Sequence, residues 1–242
     1  MIKYSHEHIK HYITDDINYD GDCKLCTQFV KNIRPNLFNK IFENDFTPVI
    51  KKYESFVWGI GLGQFLEGFT LLITNRELLS YSYLSSKELQ EFENIKKNIV
   101  DIYTNLYKTK PLILEHGSAG NCYNSGGTCI NHAHLLIFPT NIDLLPAISK
   151  YAKDGDLKQS QITEIESIHS LKKQAIKGKP YLYYENCNTE KKYLITNVEA
   201  IPSQFFRILI HKQLKLKNSW NWSEYIGKKE IIESYLKFIS YV

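Results

Sequence analysis

Residues 131–139, N-H-A-H-L-L-I-F-P, constrain the fold of this 242-residue chain more than any other stretch. The apolar run that follows the two histidines is typical of a buried strand, and side chains alternate between the two faces of a strand. His132 and His134 are therefore predicted to share one face, with Leu136 as the third member of their row. Two imidazoles in a row are either incidental polar residues of a core strand or the reactive groups of a site.

The loop that precedes this strand is rich in small and polar residues. Residues 117–129 read G-S-A-G-N-C-Y-N-S-G-G-T-C and contain four glycines. A glycine-rich loop lets backbone N–H groups converge on an anion. A phosphate beside histidine is a reactive pair, because an unperturbed pKa of about 6.5 leaves the imidazole neutral and nucleophilic at neutral pH. The same composition also describes an ordinary surface turn.

The loop and the strand together carry a family resemblance. Residues 115–139, E-H-G-S-A-G-N-C-Y-N-S-G-G-T-C-I-N-H-A-H-L-L-I-F-P, resemble the signature of the histidine-triad (HIT) superfamily of nucleotide hydrolases and transferases, which is a glycine loop followed by His-x-His-x-His or His-x-His-x-Gln. Residues 54–80 and the D-C-K-L-C at 22–26 are similar to other stretches of the family. The resemblance implies an α+β fold, with a mainly antiparallel sheet of about five strands and the 85–107 helix packed on one face.

The resemblance also implies roles for individual residues. His134 would attack the α-phosphorus and form a nucleotidyl-histidine intermediate, which water or another acceptor would then resolve. His132 would support the site, and His116 is either a group within reach of the leaving group or a strand-end histidine in solvent. The residues that would contact phosphate in and before the loop are Ser118, Asn121, Gly127, Thr128 and Cys129. Cys129 stands where the family usually has Ser or Thr.

One position departs from the family pattern. Leu136 stands where the third His or Gln is expected, and leucine neither donates nor accepts a hydrogen bond. Loss of one hydrogen bond that stabilises a transition state costs about 10²–10³-fold in rate. Three hypotheses follow: a nucleotidyl hydrolase or transferase, a nucleotide- or nucleic-acid-end-binding protein whose chemistry Leu136 has ended, and a zinc-stabilised interaction protein without nucleotide affinity. The first is preferred, and a covalent adduct on His134 separates it from the second.

Cys23 and Cys26 form a C-x-x-C pair, which supplies two thiolates from one turn and is a common half of a tetrahedral zinc site. The sequence has no second C-x-x-C, so the other ligands must come from distant residues. HIT-like proteins with this pair bind a structural zinc, and the resemblance implies His132 and Glu77 as the other two ligands. Glutamate is a less usual partner for two cysteines, and an inert pair of thiols is the alternative.

The clearest helix is predicted over residues 85–107, because Ser85 and Glu88 have the spacing of a capping box and apolar residues recur every three or four positions. Residues 159–178 also look helical. The stretch 179–200 is rich in aromatic and β-branched residues and predicts a hairpin.

The chain is predicted to divide into a HIT-like catalytic domain, residues 1–145, and a helical and hairpin extension, residues 146–242. In the extension, Gln204, Arg207 and His211 share one face of a predicted helix, because they are spaced i, i+3 and i+7. That face is either a wall of the nucleotide site, with Arg207 directed toward phosphate, or a plain polar surface above an apolar one.

Composition sets the broad class. A hydrophobic fraction of 43% and a charged fraction of 23% suit a globular core, and the net charge of +4 is too small to argue for nucleic acid. The first residues lack the apolar stretch of a signal peptide, and no window approaches the roughly 18 apolar residues of a membrane span. The five cysteines are odd in number, which favours reduced thiols and a cytoplasmic location. Expected partners are a nucleotide substrate and, as a possible homodimer, a second copy. A membrane partner is not expected, and nucleic acid is neither expected nor excluded.

Overall fold

The computed structural model describes residues 23–31, 37–42, 46–118, 130–154, 160–198 and 201–242. The strands of this part of the chain are β1 (Val49–Lys52), β2 (Phe56–Ile60), β3 (Thr70–Thr74), β4 (Leu112–Gly117), β5 (His134–Phe138), β6 (Gln161–Glu164), β7 (Tyr181–Asn186) and β8 (Lys191–Thr196). Its α-helices are α1 (Leu37–Ile41), α2 (Ser86–Tyr107), α3 (Leu145–Asp154), α4 (Lys172–Lys177), α5 (Phe205–Leu214) and α6 (Lys228–Ile239). A π-helical turn covers Cys26–Val30, and short 3-10 helices cover Tyr81–Tyr83 and Ile168–Leu171. Over the described ranges, no helix is long and apolar enough to cross a membrane.

The eight described strands form one antiparallel sheet in the order β1-β2-β3-β5-β4-β7-β8-β6. The α+β prediction is confirmed, although the sheet has eight strands rather than about five. The extension accounts for the difference, because its hairpin is β7–β8 and β7 pairs with β4, so the sheet continues past residue 145. The helical prediction for residues 159–178 was wrong at residues 161–164, which form β6. Pairing with β8 outweighs a weak helical pattern over these four residues.

One face of the sheet is covered by α2, which begins as predicted. Ser85 Oγ accepts a hydrogen bond from the Glu88 N–H at 3.2 Å, and the Glu88 carboxylate accepts one from the Ser85 N–H at 2.7 Å. The Tyr103 hydroxyl of α2 lies 2.7 Å from Thr70 Oγ1 of β3, to which Trp58 of β2 also donates at 2.9 Å. The side chains of Trp58 and Thr70 therefore mark the face of the sheet that packs against α2.

The opposite face carries the histidines. Leu136 of β5 pairs with Leu71 of β3 and with Leu114 of β4, and directly paired residues of an antiparallel sheet lie on the same face. Continuing the β4–β5 register by two residues places His116 opposite His134. The π-helical turn and α5 contribute residues above this face, which is the floor of the candidate site.

A buried carboxyl group lies on the α2 side of β4. Glu115 accepts hydrogen bonds from the Tyr81 N–H at 2.7 Å and from the Tyr181 hydroxyl at 2.6 Å. Burial nevertheless raises the pKa of Glu115 to about 7, with the two hydrogen bonds opposing the rise. A carboxyl group whose pKa is higher in the folded chain stabilises the fold at low pH. That contribution is lost as the pH rises through 7.

We expect Glu115→Gln to remove this pH-dependent loss. Between roughly pH 4.5 and 8.5 the native protein should lose about 3 kcal/mol of unfolding free energy relative to the variant, because a pKa difference converts at about 1.4 kcal/mol per pH unit. Urea unfolding followed by tryptophan fluorescence measures the difference, with Glu164→Gln on the exposed strand β6 as the control. Parallel stability curves for the native protein and Glu115→Gln would contradict this expectation.

Candidate functional site

Four side chains predicted to bind metal converge at the start of β5. The ligand atoms of Cys23, Cys26, Glu77 and His132, here called the metal cluster, all lie within 4.8 Å of one another, and all four residues are buried. The two Sγ atoms are 3.3 and 3.4 Å from His132 Nδ1. Tetrahedral zinc, with bonds of about 2.0–2.3 Å, holds its ligand atoms roughly 3.5 Å apart. The cluster can therefore hold a metal ion, and its sulfur, nitrogen and oxygen donors fit zinc.

His132 belongs to the metal cluster rather than to the strand. Its Nε2 donates a hydrogen bond to the Thr74 carbonyl oxygen at 2.7 Å, which turns Nδ1 toward the two thiols. Residues 131–132 form a bend and β5 begins at His134, so His132 lies just before the strand to which the sequence assigned it. The side chain of His132 thus belongs to the metal cluster, whereas the side chain of His134 lines the pocket. The two residues are joined by a hydrogen bond between the His132 carbonyl oxygen and the His134 ring.

The two thiols of the metal cluster differ in acidity. A hydrogen bond with Cys26 lowers the pKa of Cys23 to about 4, with His132 adding to the effect and burial opposing it. The same hydrogen bond, burial and the charges of Cys23 and Glu77 raise the pKa of Cys26. Cys23 is therefore a thiolate at neutral pH, and a bound cation would displace the proton that Cys26 retains.

His134, the predicted nucleophile, is the first residue of β5. Its Nδ1 lies 2.6 Å from the His132 carbonyl oxygen. A carbonyl oxygen only accepts, so Nδ1 carries the proton and Nε2 carries the lone pair. Burial lowers the pKa of His134 to about 4, with the carbonyl hydrogen bond opposing this and the charge of His132 adding to it. His134 is a neutral imidazole in the tautomer that makes Nε2 the nucleophilic atom.

His116 lies on the neighbouring strand β4, opposite His134. Its ring centroid is 4.9 Å from that of Phe206 in α5. Burial, together with the nearby charge of His134, lowers the pKa of His116 to about 3. At neutral pH His116 is therefore a hydrogen-bonding group and not a cationic proton donor.

Both histidines line one pocket above the sheet, with about 780 Å³ of empty space including the part open to solvent. The other polar or aromatic-polar side chains that line it are Lys24, Gln28, Gln204, Arg207 and Trp222. The remaining lining residues are aliphatic or phenylalanine, and none of the described lining residues is acidic. Two cationic groups in an apolar pocket without carboxylates favour an anionic ligand that also carries a flat or apolar part.

Of the residues predicted to contact phosphate in and before the glycine loop, the structure describes only Ser118, and it also describes Leu136, the position that departs from the family pattern. Leu136, 7% exposed, presents apolar surface in the pocket floor beside His134. Ser118 is buried, and its Oγ has no hydrogen-bond partner among the described residues. The remaining predicted contacts, Asn121, Gly127, Thr128 and Cys129, lie outside the described residues.

Arg207 lines the pocket, but its guanidinium is held by the protein. Its Nε donates to the Trp220 carbonyl oxygen at 2.9 Å, and its Nη2 donates to the Gly63 carbonyl oxygen at 2.6 Å. The guanidinium carbon also lies 4.6 Å from the ring centroid of Phe65 and 5.2 Å from that of Phe69. Arg207 thus fastens the extension to the loop after β2, and its contact with phosphate stays a prediction.

Sequence reasoning did not identify Lys24 or Trp222 as residues of the pocket. Lys24 lies between Cys23 and Cys26, so the turn that carries the thiols also brings its side chain to the pocket, with Nζ 5.3 Å from the Trp222 ring centroid. Its position between two candidate ligands was the available signal. Trp222 had no such signal, because nothing in its own stretch indicates that the extension folds back over the sheet.

Comparison with known proteins gives structural neighbours. No family model and no curated protein matches the sequence. The chain is similar to a Hit-like protein involved in cell-cycle regulation from Bartonella henselae, with 12% identity, 52% of this chain and 82% of that chain covered, and a TM-score of 0.38. It is also similar to a hypothetical histidine triad nucleotide-binding protein from Sulfolobus tokodaii, with 22% identity, 49% and 68% covered, and a TM-score of 0.35. A DUF4931 family protein from Bacillus cereus matches at 15% identity, with 78% and 99% covered and a TM-score of 0.39. HIT-like proteins are thus among the solved structures that this chain is similar to, and its chemistry has to be inferred from the site itself.

Proposed function

We propose that this protein is a nucleotidyl hydrolase or nucleotidyltransferase that forms a nucleotidyl-histidine intermediate on His134. The observation that carries the proposal is the hydrogen bond from His134 Nδ1 to the His132 carbonyl oxygen, which leaves the Nε2 lone pair for reaction in the pocket that His134 lines. The pocket supports a nucleotide as substrate, because its cationic groups suit a phosphate and its aromatic and aliphatic groups suit a base.

The proposed reaction has two displacements at one phosphorus. His134 Nε2 attacks the α-phosphorus and forms an N–P bond, while the bond from phosphorus to the leaving atom breaks and that atom keeps the electron pair. The Nδ1 proton stays on His134, where the His132 carbonyl oxygen stabilises the positive charge that the ring acquires. In the second step the oxygen of water or another acceptor attacks the phosphorus and forms an O–P bond, while the N–P bond breaks and its electron pair returns to Nε2. The proton of the attacking group passes to solvent.

Two groups that line the pocket with His134 would assist the first step. The ammonium of Lys24 lies on the turn above the pocket and is placed to neutralise charge on the phosphate oxygens. His116, opposite His134, offers a neutral imidazole that can hydrogen-bond to the leaving group. Because its pKa is low, solvent rather than His116 supplies any proton that the leaving group takes up.

We propose that the metal cluster, which lies beside the pocket, binds zinc. Zinc there would be structural, crosslinking the turn that carries Cys23 and Cys26 to residues before β5. Residues of the cluster and its turn would then position two groups of the pocket, Lys24 and His134. The turn presents Lys24 to the pocket, and His132, one of the four cluster residues, fixes the tautomer of His134 through its carbonyl oxygen.

A second candidate function rests on Leu136. The pocket floor has no hydrogen-bonding group at this position, so a nucleotide or a nucleic-acid end can be bound without being attacked at a useful rate. In that case the protein would be a binding module with the same ligand class.

Intact mass spectrometry after brief mixing with substrate tests the proposal. The panel contains dinucleoside polyphosphates, nucleoside phosphoramidates, nucleotide sugars and nucleoside triphosphates. We expect at least one compound to add the mass of one nucleotidyl group, and fragmentation of the modified peptide to map this group to His134. Nucleotide binding without an adduct or turnover on any of the compounds would replace the enzyme proposal with the binding module.

A further inference from the structure

We propose that Gln204, in the extension, supplies the hydrogen-bond donor that the strand residue Leu136 lacks, an inference that rests on the proposed reaction at His134. In nucleotidyl transfer, the negative charge of the transition state lies mainly on the two non-bridging oxygens of the α-phosphorus, and donors fixed in advance around them lower its energy. The strand row that begins at His134 continues with Leu136, which donates nothing. A donor must therefore come from another element of the pocket wall.

The neighbours of Gln204 place it close to the reactive histidine. Phe206, two residues further along the chain, packs its ring 4.9 Å from the ring of His116. His116 is the cross-strand neighbour of His134 in the continued β4–β5 register. Gln204 itself lines the same pocket as both histidines. The start of α5 thus lies above the strand end at which the proposed reaction occurs.

Gln204 also lines the same pocket as Leu136, and contacts of the next turn of α5 reach the strand face on which Leu136 lies. Arg207 lies over the ring of Phe69. Phe69 stacks on Phe138 with ring centroids 4.4 Å apart, and Phe138 shares the strand face of Leu136 two residues away. The part of the pocket wall that carries Gln204 and Arg207 therefore shares the pocket with the strand row that lacks a donor.

The amide of Gln204 is held in place before any ligand arrives. Its Nε2 donates to Asn221 Oδ1 at 3.3 Å, and its Oε1 accepts from the Trp222 N–H at 3.4 Å. An amide nitrogen carries two hydrogens, so this arrangement leaves one for a ligand. The backbone of Gln204 has a φ of 62°, in the left-handed region, and its side chain makes no capping hydrogen bond to α5. Strain of this kind in a non-glycine residue persists where surrounding contacts impose it, often at functional sites.

The other donors of the described pocket wall are less suited. The guanidinium of Arg207 donates to the carbonyl oxygens of Gly63 and Trp220. Gln28, on the π-helical turn, is the second uncharged amide, and no hydrogen bond within the described ranges orients it. Lys24 offers charge, but its side chain is exposed and long. His116 faces the leaving group, and of the two side-chain amides in the described pocket wall Gln204 is the one that hydrogen bonds hold in a fixed geometry.

Single-turnover kinetics of adduct formation test this assignment. We expect Gln204→Leu to slow nucleotidyl transfer to His134 by about 10²–10³-fold, while the Kd of a nucleoside monophosphate changes less than about threefold. Gln204→Gly removes the same donor and suits the left-handed backbone, so it gives the slow rate even if the leucine variant folds poorly. Gln213→Leu, an exposed glutamine of α5, is the matched control and should react at the native rate.

Rescue from the strand distinguishes a role in the reaction from a role in folding. Leu136→Gln, combined with Gln204→Gly, should restore the rate at least about tenfold, because it returns a donor to the floor of the pocket. Native rates in both Gln204 variants overturn the assignment while the His134 reaction stands. Slow transfer in Gln28→Leu together with native rates in the Gln204 variants moves the donor to the π-helical turn. A native protein that forms no adduct overturns the reaction at His134 and this assignment with it.

Discussion

Replacement of His134 by alanine is expected to abolish the nucleotidyl adduct and to lower turnover on the order of 10⁶-fold, the scale on which loss of a nucleophile acts. The physical reason is that Nε2 of His134 is the nucleophilic nitrogen that the proposed reaction uses. The other pocket imidazole, His116, is buried beneath Phe206. Nucleotide affinity should change little, because the substitution removes one of many lining side chains. Intact mass spectrometry and steady-state turnover on the compound found in the panel measure both effects.

His169→Ala is the matched control for this experiment, because His169 is exposed on a 3-10 helix and does not line the pocket. It should form the adduct at the native rate. An adduct that persists in His134→Ala would assign the nucleophile to another residue. His116→Ala, made in the same background, would then be the next variant to examine.

Loss of the metal should cost more stability than any single change in the pocket wall. An ion present at 1,000 times its Kd stabilises the folded chain by about 4 kcal/mol. For a chain of this length each kcal/mol is worth about 2–4 °C in Tm. We therefore expect chelator, or Cys26→Ser, to lower the Tm by about 10 °C. Thermal unfolding with and without chelator measures the shift, and elemental analysis of the purified protein identifies the ion.

The same treatment should weaken nucleotide binding by about tenfold, because the turn between the two thiols carries Lys24 and Gln28 into the pocket. Cys187→Ser is the control, since Cys187 is a buried cysteine just after β7 and outside the metal cluster. It should leave the metal content and the response to chelator unchanged. Purified protein without metal and with an unchanged Tm in chelator would identify Cys23 and Cys26 as an inert thiol pair.

Local signals in the sequence predicted the elements that depend only on their neighbours. The capping box at Ser85 and Glu88 places the start of α2 correctly, and the apolar run after His134 places β5. The resemblance also led to Glu77, whose carboxylate joins the metal cluster from a residue far away in sequence. The helix start and the strand could be predicted because each depends on a short stretch of sequence, and Glu77 could be predicted because the family pattern includes its position.

Long-range packing was not predictable from the residues themselves. His132 lies just before β5, and its two ring nitrogens contact the thiol of Cys23 and the Thr74 carbonyl oxygen, which are both far away in sequence. Strand β6 forms because β8 offers it an edge. The pocket wall depends on an arginine that reaches back to Gly63, a loop carbonyl about 140 residues earlier in the chain. No periodicity or motif predicts such a contact, because it depends on how the C-terminal extension packs on the sheet.

The pairing of β4 with β7 has a consequence for how the protein is made. At a synthesis rate of about 5–20 residues per second, β7 leaves the ribosome roughly 3 to 13 seconds after β4. Throughout that interval the outer edge of β4 has backbone N–H and C=O groups without the partner strand that pairs with them in the finished sheet. Exposed edges of this kind recruit strands from other chains. Translation speed between residues 117 and 181, and the chaperones present during it, therefore bear on the yield of folded protein.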